Sequence, residues 1–315
     1  MSPPVQKKPD WLRVRLPGGE RYRSLKSTFR SLDLHTVCEE AHCPNVGECW
    51  AEGTATLMVL GETCTRGCRF CAVQTGDPGG VVDPREPEHT GRALAGLGLS
   101  YVVLTMVDRD DLLDGGAAHV AETVRRIKHH SPELLVETLA GDFAGVRADV
   151  ETVVREGRPD VFAHNAEVVP ELQRQMRDAR CSWDRSLSVL RWAREAGAAV
   201  TKSSLMVGCG ETEAQVLSAM RALRDVGVQV LTIGQYLRPS AKHAPVVRYV
   251  PPEEFDGWAE AGREMGYRYV ASGPLVRSSY RAAEAYLVGV LGGEAPSFDR
   301  YGRAVEGKRK LEVVL

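Results

Sequence analysis

From about residue 55 onward, short apolar and β-branched runs alternate with longer stretches in which apolar residues recur at intervals of three and four. The short runs fall at 56–60, 101–105, 134–138, 160–164, 200–206 and 228–233 and read as strands. The stretches at 117–130, 144–156 and 211–226 read as amphipathic helices. Such alternation implies right-handed strand–helix–strand units and a parallel sheet. Six strands predict an α/β fold built as a partial (β/α)6 parallel barrel, since a closed eight-fold barrel needs two more. Polar or reactive residues follow these strands: the Cys64 loop, Asp108-Arg-Asp-Asp111, His164-Asn165 and Gly208-Cys-Gly-Glu211. In parallel barrels that edge carries the active site, so the pattern places the candidate chemistry on one rim.

Three regions follow from the same pattern. Residues 1–53 form an N-terminal extension, 54–250 the partial barrel, and 251–315 a C-terminal segment that opens with Pro251-Pro252. With 315 residues, 43% of them apolar, the chain can bury a sizeable core. A formal net charge of -2 gives no general attraction to nucleic acid, and no run is long and apolar enough to suggest a signal peptide or a membrane span. The expectation is a cytoplasmic protein with neither a nucleic-acid nor a membrane partner.

Of eight cysteines, six fall between Cys38 and Cys71, an arrangement that points to metal ligation rather than to disulfides. The run Cys64-Thr-Arg-Gly-Cys68-Arg-Phe-Cys71 has the spacing C-x3-C-x2-C directly after a strand. Three thiolates on a tight loop can hold three irons of a cubane cluster and leave the fourth open to a small molecule. Zinc is the alternative, but a structural zinc site wants four closed ligands. A second triplet, Cys38, Cys43 and Cys49, has the spacing C-x4-C-x5-C and offers another three-thiolate nest. Its alternative is a mixed zinc site that uses His42.

The first triplet, with Phe70 before its last cysteine, is similar to the radical S-adenosylmethionine (SAM) signature. The second, with its Cys43-Pro-Asn-Val-Gly-Glu-Cys49 core, resembles the auxiliary-cluster motif of the lipoyl synthase family. Gly53-Thr-Ala-Thr56, the segment 104–116, Gly234-Gln-Tyr-Leu-Arg-Pro239 and Arg277-Ser-Ser-Tyr280 continue the likeness, which runs from Arg30 to Ala285. It implies two four-iron, four-sulfur (4Fe–4S) clusters. Cys64, Cys68 and Cys71 would hold the one that binds and cleaves SAM, giving a 5′-deoxyadenosyl radical. Cys38, Cys43, Cys49 and Ser279 would hold the other, which is consumed as the sulfur source. The implied reaction inserts two sulfurs at carbons six and eight of a protein-bound octanoyl-lysine, with two SAM molecules cleaved per product. The implied partners are octanoylated carrier domains (2-oxoacid dehydrogenase E2 and the glycine-cleavage H protein), a reductant such as flavodoxin or ferredoxin, and an iron–sulfur cluster carrier.

Among residues expected near SAM, Phe70, Asn165 and Glu167 follow from the family motifs, as do Gly208 and Gly210 after the fifth strand. Lys202, Gln235 and Tyr236 are placed on the same rim by the strand reading. Read without the family, Gly208 and Gly210 are a strand-to-helix turn, His164–Glu167 a capping network and the Ser278-Ser279 pair an ordinary helix cap. Asp108-Arg-Asp-Asp111 reads by default as a solvated loop of charges, with a role in shaping the site or meeting the donor protein as its alternative. Cys181 and Cys209 read as ordinary small buried or half-buried residues, and Lys308-Arg-Lys310 as a basic tail. The chain departs from the family pattern at Gly141, Val168 and Cys209. These departures leave open a sulfur-inserting paralogue with another substrate; a non-catalytic iron–sulfur or zinc protein is the reading from a different class.

Overall fold

The computed structural model describes residues 7–12, 23, 26–27, 45–51 and 54–279. Cys38, His42, Cys43, Tyr280 and Lys308-Arg-Lys310 lie outside the described residues.

All six expected strands are present, and a seventh joins them: β1 (Thr54–Val59), β2 (Tyr101–Met106), β3 (Leu135–Leu139), β4 (Val161–Ala163), β5 (Val200–Val207), β6 (Val230–Gln235) and β7 (Tyr269–Gly273). They form one parallel sheet in simple sequential order, with β1 and β7 at its edges. Parallel strands covered on both faces need near-continuous apolar side chains, and all six residues of β6 are buried. The seventh strand comes from the C-terminal segment and is preceded by a helix whose Pro252 sits in its first turn. Its five residues, Tyr-Val-Ala-Ser-Gly, make too short and mixed a run to stand out by period.

The helices between strands are α1 (Glu86–Ala95), α2 (Ala117–His130), α3 (Arg147–Thr152), α4 (Trp183–Glu195), α5 (Glu213–Asp225) and α6 (Pro252–Glu264). Ser182 caps α4 through its hydroxyl, and Thr212 with Gln215 makes a capping box on α5. The expected helix at 144–156 is broken. Asp142 accepts from the Ala144 amide, Phe143 and Ala144 take positive φ, and α3 starts only at Arg147 before widening into a π-turn at Val153–Gly157.

Two apolar cores back the sheet, one containing Leu57, Leu104, Ile127 and Phe162, the other Leu205, Ile233, Met220 and Trp258. Inside the curve, Tyr101 donates its hydroxyl to Glu137 at 2.8 Å, and Lys202 Nζ donates to both Glu137 oxygens at 2.9 and 2.8 Å. Residues two further along the same strands, Leu139 and Ser204, line the large cavity described below. Strand side chains alternate with period two, so the Glu137–Lys202 pair forms a closed layer one step beneath the cavity floor. No helix among the described residues is long and apolar enough to cross a membrane.

Candidate active site

A cavity of about 700 Å³ opens at the C-terminal ends of the strands. It is walled by residues on or just after β1 to β6 together with 276–279, which the sheet can supply only by curling around it. Cys64, Cys68 and Cys71 all line it, as do Phe70, Asn165, Glu167, Gln235, Tyr236, Ser278 and Ser279. The sequence reading therefore collects most of its candidates in one place.

The cysteine loop is held from beneath by Arg66. Its guanidinium, 2% exposed, donates to Asp142 Oδ1 at 2.7 Å and to Asp110 Oδ1 at 2.7 Å, and lies 3.5 Å from Asp108. Thr65 adds an amide bond to the Asp108 carbonyl at 2.9 Å and a hydroxyl bond to Asp110 at 2.8 Å. Arg109, equally buried, donates to Asp111 at 2.8 Å and to the carbonyls of Leu60 and Val81 at 3.0 and 2.9 Å. The expectation of a solvated charge loop is thus corrected: residues 108–111 clamp the cysteine loop to the barrel rim. Burial alone would raise Asp142; the Arg66 hydrogen bond and charge overcome it and hold the carboxyl below its ordinary range. Burial pushes Asp108 up to about 6 against the pull of Arg66.

Burial raises the Cys64 thiol and pushes Cys71 up to about 11. The neighbouring Cys181 thiol raises Cys68, and Cys68 in turn lowers Cys181. Cys181 is half-buried, as expected, and stands on the cavity wall. Cys209 fits its expectation, being 6% exposed within the second core.

Asn165 and Glu167 are presented by a strained turn after β4. Glu167 has φ +69°, a conformation that costs a non-glycine residue on the order of 1 kcal/mol. Its backbone bridges to β5, donating to the Ser204 carbonyl at 3.1 Å and accepting from the Met206 amide at 2.6 Å. Burial raises the Glu167 carboxyl against the pull of Arg177 and of Asn165. Beneath lies a buried chain: Gln173 Nε2 donates to the Ala166 and Val168 carbonyls at 3.0 and 2.6 Å, and Arg177 donates to Gln173 at 3.2 Å and Ser186 at 2.9 Å. His164 Nδ1 faces the Ala140 carbonyl at 2.9 Å, and its Nε2 faces the Ser186 hydroxyl at 3.0 Å. A carbonyl only accepts, so the Nδ1–H tautomer is required. Burial, with the Arg177 charge, lowers His164 to about 4.

Three expected cofactor-binding residues stand off the cavity. Lys202 is committed to Glu137 in the layer below, because the strand register turns it inward rather than up to the rim. Gly208 and Gly210, at φ +91° and +118°, are absent from the cavity wall. Gly208 serves close packing: a Cβ there would lie 2.1 Å from Gln235 Nε2 and 2.5 Å from the Arg248 carbonyl. Gln235 and Tyr236 line the cavity with side chains already engaged. The Gln235 amide donates to the carbonyls of Val207, Tyr236 and Arg248 at 3.0–3.2 Å and accepts from Val250, while the Tyr236 hydroxyl donates to Ala244. Sequence reasoning missed Arg66, Asp142, Arg177 and Cys181. Each works through a partner more than 30 residues away or a buried contact, and neither leaves a periodic signal.

Of the second nest, Cys49 is described, on the short helix Val46–Ala51. Asn45 Nδ2 donates to the Leu275 carbonyl at 2.7 Å, so this helix is tied to the stretch that leads to Ser278 and Ser279.

Three thiols, soft donors of the kind an iron–sulfur cluster takes, open on one cavity and fit such a group.

The radical SAM superfamily model matches residues 58–234, and that of the N-terminal domain of lipoyl synthase of the radical SAM family matches residues 4–43. A lipoyl synthase of Sorangium cellulosum is 62% identical over 295 residues, covering 89% of this chain and 79% of that protein. One from Anaeromyxobacter sp. is 58% identical over 291 residues, 92% of this chain and 98% of that protein. The mitochondrial lipoyl synthase of Rattus norvegicus is 54% identical over 285 residues, 89% of this chain and 76% of that protein. The FeFe-hydrogenase maturase HydG of Carboxydothermus hydrogenoformans shares the fold alone, with a TM-score of 0.57 at 15% identity over 75% of this chain and 56% of that one. Fold and site together define a radical SAM enzyme, with the SAM and 4Fe–4S cluster that the class implies. Within that class, the chain belongs to the lipoyl synthase family.

Proposed function

We propose that this enzyme inserts sulfur at carbons six and eight of an octanoyl chain carried on a lysine of a lipoyl carrier domain, giving lipoyl-lysine. The observation that carries the reading is one cavity onto which the Cys64, Cys68 and Cys71 thiols and the Ser278-Ser279 pair all open. Cys64, Cys68 and Cys71 would hold the SAM-binding cluster, and Cys38, Cys43, Cys49 and Ser279 the cluster that is spent as the sulfur substrate. When bound, the first cluster supplies one-electron reductive cleavage of SAM and hence hydrogen abstraction from an unactivated carbon.

The chain's own residues position and exclude. Arg66 and its aspartates fix the cysteine loop, so the thiols need little reordering when metal arrives. Arg177 lies on the cavity wall, 8% exposed, with no hydrogen-bond partner for its Nε. A buried guanidinium of this kind suits a carboxylate, and the methionine end of SAM carries one. Asn165 and Glu167 present polar groups on the same side. Met58, Met106, Leu139 and Leu205 give the cavity an apolar stretch suited to an eight-carbon chain and keep water from the reacting carbons.

We place the reaction in the cytoplasm, with flavodoxin or ferredoxin as the electron source and a carrier that rebuilds the spent cluster. The test is anaerobic reconstitution with iron and sulfide counts, followed by mass spectrometry of an octanoyl-lysine peptide. About eight irons per chain, falling to about four when Cys64, Cys68 and Cys71 are all alanine, is the expected result for two three-thiolate nests. A peptide that gains no sulfur while SAM is cleaved would point to a paralogue with another substrate.

A further inference from the structure

We propose that Arg69, Arg174, Arg238 and Lys242 form the docking face for the electron donor, a protein with an acidic surface. The proposal rests on the reading of Cys64, Cys68 and Cys71 as cluster ligands and names the side of their loop from which the electron arrives. All four side chains are exposed, and none has a carboxylate within ion-pair distance among the described residues. Hydrogen bonds gather them around the cysteine loop. The Arg69 amide donates to the Met176 carbonyl at 2.8 Å and its Nη1 to the Gln175 carbonyl at 3.1 Å, which brings up the short helix Gln173–Met176 with Arg174. The Ala244 amide donates to the Arg69 carbonyl at 2.8 Å, so the segment 238–244 is tied to the same loop. Arg238 stiffens that segment, donating from Nε to the His243 carbonyl at 2.9 Å and from Nη2 to the Ala241 carbonyl. These neutral partners leave its charge uncancelled.

The whole chain is formally -2, so these cations are a local asymmetry and not a reflection of composition. Of the carboxylates flanking Arg174 in sequence, Asp178 is taken by Arg180 at 2.8 Å and by the Gly67 amide at 2.8 Å. Glu171 is exposed and makes no ion pair with Arg174. A positive face of this kind steers an acidic partner and speeds its encounter. The contact beneath the face favours an electron donor. His243 is half-buried, with Nε2 facing the Cys71 carbonyl at 2.9 Å and Nδ1 facing the Ser240 hydroxyl at 2.9 Å. A carbonyl only accepts, so Nε2 carries the proton. One ring therefore links the exposed stretch 240–242 to the backbone of a residue that would hold the cluster. Electron transfer weakens steeply with distance, and a donor seated here gives up one electron to the loop's cluster with no bond made or broken at the face. An octanoyl carrier needs the cavity instead, and Arg69, Arg174, Lys242 and His243 are absent from its wall.

The experiment compares reconstituted full-length enzyme with the double charge reversal Arg174→Glu/Lys242→Glu, using an acidic flavodoxin as the probe. Calorimetric titration with oxidised flavodoxin gives Kd, and 5′-deoxyadenosine release gives the rate with reduced flavodoxin or with saturating reduced methyl viologen, a small cation that needs no basic face. The expected result is a Kd and a KM for flavodoxin raised about tenfold or more, with weaker salt dependence than wild type. Iron content and the methyl viologen rate should match wild type. Unchanged Kd and KM for flavodoxin would overturn the docking face and leave the cluster reading intact. Equal loss with both reductants would overturn it too, placing the two residues in support of the loop. A raised KM for an octanoylated carrier domain with unchanged flavodoxin binding would give the face to the carrier. Wild type that releases no 5′-deoxyadenosine even with methyl viologen would strike the cluster reading, and the docking face with it.

Discussion

Asn45 Nδ2 and the Leu275 carbonyl oxygen meet at 2.7 Å across 230 residues of sequence, and this bond ties the segment before β1 to the stretch that follows β7. Asn45 is 5% exposed and directly precedes the helix that carries Cys49; Leu275 lies just before the serines on the cavity wall. The proposed second nest would draw its donors from both of these stretches and would need such a tie.

Asn45→Ala leaves the Leu275 carbonyl buried without its partner, at a cost of about 1–3 kcal/mol. The larger expected effect is on the second nest. Iron content after reconstitution should fall toward that of a one-cluster protein, and lipoyl formation should drop, while SAM cleavage persists. Equal loss of cleavage and sulfur insertion would show that the tie supports the whole barrel instead.

Arg66 is answered by three aspartates, of which Asp142 is fully buried on its side chain. Removing the guanidinium leaves these carboxylates unpaired, and breaking a buried pair from one side costs about 3–5 kcal/mol. Arg66→Met should lower the melting temperature and lose iron at the Cys64 loop first. Arg66→Lys should restore part of the stability but less of the iron, since one ammonium cannot reproduce the fork that spans Asp110 and Asp142. Iron counts and thermal melts of both variants check this.

Much of this was legible in the sequence, for reasons that differ by element. The strands β1 to β6 were readable because parallel strands covered on both faces are short apolar runs. Cys64, Cys68 and Cys71 were readable because ligand spacing survives without a fold. The Arg66 clamp was not, because Asp142 and Asp108 become its neighbours only when β2 and β3 pair. Lys202 misled for a related reason: a lysine near a rim-directed strand looks like a ligand-binding cation until the register shows Glu137 opposite it. The break at Phe143–Ala144 went unseen because Asp142 there serves a local turn and the Arg66 clamp at once.

His164 makes the fold sensitive to acid. Burial and the Arg177 charge hold it at about 4, below the ordinary 6.5, so the unfolded chain takes up its proton at a higher pH than the folded one. The stability gained by keeping it neutral is full above 6.5 and is lost as the pH falls toward 4, about 3 kcal/mol across that window. His164→Gln has no such proton. Urea midpoints of iron-stripped wild type and variant should therefore converge between pH 7 and pH 4, and a constant difference would contradict the assignment.

Arg177 is the candidate for the carboxylate end of SAM because its Nε lacks a partner in a buried setting. Arg177→Met should weaken SAM binding by tenfold or more, the loss of a charge-assisted hydrogen bond of about 1.5–3 kcal/mol. The expected split is a raised KM for SAM with iron content at the Cys64 loop unchanged. Loss of iron in the variant would mean that Arg177 serves the loop and not SAM.

Gly234 decides how closely the C-terminal stretch approaches the cavity. A Cβ at this position would lie 2.0 Å from the Val276 carbonyl oxygen, a backbone atom that cannot turn aside as a side chain can. Arg277 secures the same approach, donating from Nη1 to the carbonyls of Gln235 and Val276 at 3.1 and 2.9 Å. Gly234→Ala should therefore push residues 276–279 off the cavity wall and carry Ser279 away from any ligand position. Cys64, Cys68 and Cys71 stand on the opposite end of the sheet order and keep their clamp. The variant should cleave SAM at a rate close to wild type while lipoyl formation falls at least tenfold. Parallel loss of both activities would place the damage in the barrel instead.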